Sequence, residues 1–95
     1  ATNPDTVQRE KAINLRRLAD TYAVLGNHTT AVASAEESAD LFRALYQRLN
    51  TSAALADSTE SLSALGNTLS AGGDYQQAEA CFEEAVTLQA TEAIP

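Results

Sequence analysis

Residues 65–85 read LGNTLSAGGDYQQAEACFEEA, and how this stretch is read decides the fold. Leu65 and Leu69 sit one helical turn apart. A Gly72-Gly73-Asp74 breaker follows, and Ala78, Phe82 and Ala85 resume at steps of four and three. Such spacing predicts two helices joined by a tight turn. Asp74, with Gln77 three residues on, reads as a capping box opening the second helix. Gly66 lies inside the first, where glycine costs on the order of 1 kcal/mol against alanine. Its presence predicts a neighbouring helix so close that no side chain fits between them.

The same periodicity extends outward. Leu55, Ser58 and Leu62 lead into the quoted stretch. Upstream, Leu15, Leu18, Tyr22 and Leu25 form one helical set, and Ala31, Ala35, Ser38, Phe42, Leu45 and Leu49 form another. Nothing alternates with period two over a useful length, so strands find no support. Asn3-Pro4-Asp5 puts a capping Asn before a Pro at the first helical position. Asn27 with Thr30 is a weaker version of that signal, and Asn50-Thr51-Ser52 offers several caps. The expected helices cover 5–25, 29–49, 52–71 and 75–91.

Sliding the chain against itself by 47 residues exposes an internal repeat. Identities fall at Leu15/Leu62, Leu18/Leu65, Thr21/Thr68, Gly26/Gly73, Ala31/Ala78, Ala33/Ala80, Glu36/Glu83, Glu37/Glu84 and Leu41/Leu88, with no gap, and Asn3/Asn50 extends the register. The motif Leu18-Ala19-x-x-Tyr22-x-x-x-Gly26-Asn27, with Ala31 and Ser38-Ala39, resembles the tetratricopeptide repeat. So does its second copy, running from Leu65-Gly66 through Gly73-Asp74-Tyr75 to Ala78, Phe82 and Ala85. The departures are Leu69 where Tyr is usual and Ala35 where a larger residue is usual. The 47-residue spacing resembles the long-helix variant found in kinesin-light-chain-like and bacterial multidomain signalling proteins.

This resemblance implies an all-α fold. Two helix-turn-helix repeats, 3–49 and 50–95 of a single domain 1–95, would stack four antiparallel helices as a short right-handed α-solenoid. It implies that Ala19, Gly66, Ala31 and Ala78 mark the crossings within each unit, with Tyr22, Phe82, Leu18 and Leu65 between units. Two units leave apolar faces uncovered, so the chain is expected to belong to a longer array or to self-associate through an end face.

Composition agrees. Hydrophobic residues make up 44% and charged residues 20%, the balance of a globular chain. Alanine supplies 19 residues and leucine 11, which favours closely approaching helices. The net charge of −7 argues against a nucleic-acid or anionic-membrane partner. That charge is polarised: residues 1–48 carry six acids and six bases, whereas 49–95 carry seven acids and no base. No run approaches the ~18 apolar residues of a membrane span, and no apolar leader is evident, so the expected location is cytoplasmic.

Groups with chemical potential lack second members. His28, the only histidine, aligns with Tyr75 and is expected to pack or be solvated, having no metal or triad partners. Cys81, the only cysteine, excludes an internal disulfide and reads as a half-buried, inert thiol. Gly72-Gly73-Asp74 follows a helix and carries no Lys, so it reads as a turn and not a phosphate loop. Glu36-Glu37 and Glu83-Glu84 are expected to be solvated. The sequons at Asn27 and Asn50 are explained as helix caps. No enzyme activity, metal or other cofactor is expected.

What remains is a surface for a protein or peptide. The resemblance places a concave groove along the first helix of each repeat. It assigns Ile13, Arg16, Arg17, Asp20 and Val24 to the groove in the first copy. In the second it assigns Glu60, Ser63, Ala64, Asn67 and Ala71. Arg16, Arg17 and Asn67 suit a peptide carboxylate or backbone, because guanidinium forks and amides match those groups. Solvation of both arginines is the competing reading. The expected function is a protein-interaction scaffold within a signalling or regulatory protein. Rival expectations are end-to-end self-assembly or an intramolecular regulatory domain of a multidomain enzyme.

Overall fold

The computed structural model describes residues 3–93; Ala1, Thr2, Ile94 and Pro95, at the two ends of the expected domain, lie outside them. Four helices follow in order: α1 Pro4–Val24, α2 His28–Leu49, α3 Ser52–Ala71 and α4 Tyr75–Ala93. The starts of α1, α2 and α3 are chemically specified. The Asn3 side chain accepts a hydrogen bond from Asp5 N at 2.9 Å, and Pro4 opens α1. Asn27 Oδ1 accepts from Thr30 N at 3.3 Å, and Thr51 Oγ1 accepts from Ala54 N at 3.1 Å. Asn50 has a different task from the one its alignment with Asn3 suggests. At φ 51° it closes α2 in the left-handed region, where Asn is tolerated.

The two turns share one backbone solution. Gly26 and Gly73 adopt φ +82° and +88°, which a Cβ disfavours. Asn27 N donates to Tyr22 O and Asp74 N to Leu69 O, both at 2.9 Å, tying each turn to the helix before it.

The helices pack as two hairpins, α1 with α2 and α3 with α4, joined mainly through α2 against α3; α1 also touches α3. The main core gathers Ala19, Ala35, Ala39, Leu62, Leu65, Leu69, Ala78, Cys81 and Ala85, with Val32, Phe82 and Leu88 against it. A smaller cluster joins Ala12, Phe42 and Leu45, flanked by Ile13 and Leu41. Alanine dominates the main core, so helix backbones approach closely there and few large side chains are fully enclosed. Phe42 and Leu62 are the largest of these. Ser38 is buried at the α1–α2 crossing and donates to the Ala12 carbonyl at 2.7 Å.

The close approach expected at Gly66 is present. A Cβ there would lie 2.6 Å from Phe82 Cε1, so the Phe82 ring covers Gly66 within the second hairpin instead of filling the space between hairpins. Leu18 also departs from expectation. It is 46% exposed, because no helix among the described residues covers the face of α1 on which it lies.

Candidate functional site

Two arginines of α1 set the geometry of the α1–α3 face. Arg9 Nε donates to Asp57 Oδ2 at 2.8 Å, and Arg16 Nη1 lies 3.1 Å from Glu60 Oε1. Both contacts join α1 to α3 in the same sense along the chain, so the two helices run side by side and parallel. The hydrogen bond and charge of Asp57 hold the Arg9 guanidinium above its ordinary pKa.

The groove residues named from sequence occupy different environments. Ile13 is half-buried against the Ala12–Phe42–Leu45 cluster. Arg16 and Glu60 are brought together as an ion pair, so the Arg16 charge is already engaged. Arg17, Asp20, Asn67 and Ala71 are exposed, and Ser63 and Ala64 half-buried. Val24 is 87% exposed. Asp20 and Val24, with Thr21 and Leu25, line a shallow apolar depression at the end of α1. Among the described residues Arg17 makes no ion pair.

Sequence reasoning missed the contacts that hold the hairpins to each other. Arg43 of α2 grips Glu84 of α4 with two hydrogen bonds, Nε–Oε2 at 2.8 Å and Nη2–Oε1 at 2.9 Å. This bidentate pair corrects the reading of Glu84 as solvated, and it holds the Arg43 pKa above its ordinary value. His28 is half-buried, with its ring directly over Gly72 where a Cβ would otherwise sit. Its Nε2 lies 3.3 Å from Asp74 Oδ2. Gly72 is therefore required by the His28 ring and Gly73 by the turn. Arg9, Arg16 and Arg43 each reach from the first hairpin to an acid of the second. The one sequence signal for this was the confinement of every base to residues 1–48.

Cys81 is buried in the main core. Burial pushes its thiol pKa up, the nearby Arg43 charge opposes this, and Glu84 and Glu36 add to the rise. Alkylation by iodoacetamide at pH 8 is expected to run at least about tenfold slower in the folded chain than in urea. Equal rates would show that the thiol is accessible. Among the described residues, no group of three or more His, Cys, Asp or Glu side chains is placed to hold a metal ion. None of the helices is long and apolar enough to cross a membrane.

A broad concavity lies away from the α1–α3 face. It is an open trough of about 620 Å³ along the outer side of α4, floored by Ala78 and Phe82 and walled by Tyr75, Glu79, Glu83 and Val86. Comparison with protein families matches residues 10–91 to the tetratricopeptide repeat. Comparisons with curated proteins and with solved structures found no match.

Proposed function

This chain belongs to the tetratricopeptide repeat family, and on that premise we propose that it is a non-catalytic protein-interaction scaffold. Its repeats are 3–49 and 50–95, and a peptide segment or partner domain lies along the parallel α1–α3 face. The family's general role in protein–protein contacts supports the scaffold reading. The observation that carries the groove is the parallel pairing of α1 with α3, beside which Arg17, Asp20 and Asn67 stay exposed. Arg17 is the cation available to a ligand carboxylate, because Arg16 is held by Glu60. A signalling or regulatory parent and a cytoplasmic location complete the proposal; the free Cys81 suits a reducing compartment.

The test is a peptide selected against the chain from a displayed library, then titrated against variants. Arg17→Glu is expected to weaken its binding at least about tenfold, the scale of a lost charge-assisted hydrogen bond. Asn67→Ala weakens it less, and Val86→Glu, on the far side of α4, leaves it unchanged. If Arg17→Glu and Asn67→Ala both bind as the parent chain does, the ligand does not use this face.

A further inference from the structure

The α2–α3 contact inside the chain is a template for a contact between chains. One stripe of α3, formed by Ala54, Ser58, Ser61 and Leu65, is buried. Shifted by the 47-residue repeat, it corresponds to Val7, Lys11, Asn14 and Leu18 on α1, all exposed. Leu25 continues that stripe and is 73% exposed.

The receiving side repeats in the same way. On α2, Ala35 and Ala39 are buried in the core with Leu65 of α3. Their counterparts on α4 are Phe82 and Val86, in the open trough, where Val86 is 63% exposed. The trough therefore lies where an α3-like helix would sit if α4 were α2. Single exposed apolar residues need no explanation, but two matched faces at opposite ends of one chain do.

Charge selects the occupant. Glu79 and Glu83 wall the trough in a half of the chain that holds no base, and neither makes an ion pair among the described residues. The α1 stripe carries Lys11, exposed and 3.7 Å from Glu37 of its own hairpin, in the half that holds every base. We propose that the chain associates head to tail, the outer face of α1 in one copy entering the α4 trough of the next. The contact is heterologous and does not close, so copies add in a line. It leaves each α1–α3 groove open, and its truth is independent of what that groove binds.

The internal ion pairs are not reproduced at such a junction. In place of Arg9 and Asp57 it presents Ala56 and Glu10, and in place of Arg16 and Glu60 it presents Ser63 and Ile13. Leu25 takes the place of Gly72, so the Tyr75 ring turns aside to admit it, as its 69% exposure allows. Association is accordingly weaker than the internal contact, reversible and dependent on concentration.

Sedimentation of the 95-residue chain from about 1 µM to about 1 mM tests this, across the range where weak self-association appears. The weight-average mass is expected to rise past two chains without a plateau. Leu18→Glu and Val86→Glu, each disabling one face, are each expected to stay monomeric, with helicity and melting unchanged. Should either lose helicity, Leu18→Ser or Val86→Ser serves in its place. Mixed in equal amounts, the two variants retain one good face each and are expected to form a 1:1 dimer and nothing larger. A wild-type chain that is monomeric throughout overturns the proposal, as does a plateau at two chains. So does a mixture that remains monomeric while the wild type associates.

Discussion

Phe42→Ala is expected to destabilise the chain by about 4 kcal/mol, the upper part of the range for an aromatic removed from a core. Phe42 is 1% exposed and is the largest side chain fully enclosed by the fold. Its neighbours, Ala12 and Leu45 with Ile13 and Leu41 at the edge, belong to a cluster with no other aromatic. Truncation leaves a cavity that cannot close from the α1 backbone side, because Ala12 has no side-chain torsion through which to collapse. A domain of this size carries roughly 5–10 kcal/mol in total, so the variant loses a large share of it. Urea unfolding followed by circular dichroism reads the effect. A loss below about 1.5 kcal/mol would mean that the α1–α2 hairpin contributes little to the cooperative unit.

Gly66→Leu acts by the opposite physics and is expected to lose about 3 kcal/mol, the cost of overpacking a closed contact. Even a Cβ would stand 2.6 Å from the Phe82 ring, and a leucine adds three more carbons in the same direction. Better helix propensity returns only about 1 kcal/mol. Gly66→Ala separates the two effects. The Phe82 ring borders the open trough and has room to shift, so alanine is expected to fall within about 1 kcal/mol of the parent chain. Thermal melts of both variants check this, and a leucine variant as stable as the alanine one would rule out a tight α3–α4 seam.

Much of the architecture was readable because the chain states its ends locally. Asn3, Asn27 and Thr51 cap helices with their own side chains, and Gly26 and Gly73 mark turns that need positive φ. The expected helices differ from the observed ones by no more than two residues at any end, and the third matches at both. Asn50 misled, because its alignment with Asn3 says nothing of which helix it serves. With only Asn50 and Thr51 between α2 and α3, one closes the first helix and the other opens the second.

The surface was less legible, for a different reason. Whether Arg16 faces solvent or Glu60, and whether Glu84 faces solvent or Arg43, depends on the stagger between hairpins. A periodic pattern on each helix does not contain that stagger. Leu18 illustrates the same limit. Its spacing marks it as apolar-facing, and only the arrangement shows that its face of α1 is uncovered.

The hydrogen bond from Ser38 to the Ala12 carbonyl bears on how α1 and α2 find their alignment. The alanines that α1 and α2 bring together are smooth, and over them alone a slide of one turn, about 5.4 Å, exchanges one methyl contact for another at little loss. Ser38 breaks that degeneracy. Its hydroxyl meets the Ala12 carbonyl at 2.7 Å in a place sealed from water. Sliding would strand a polar group in a dry interface, at about 1–3 kcal/mol. A single oxygen thus works as a detent beside the buried Phe42 ring, giving the alanine part of the surface one resting position that its methyl groups alone would not select.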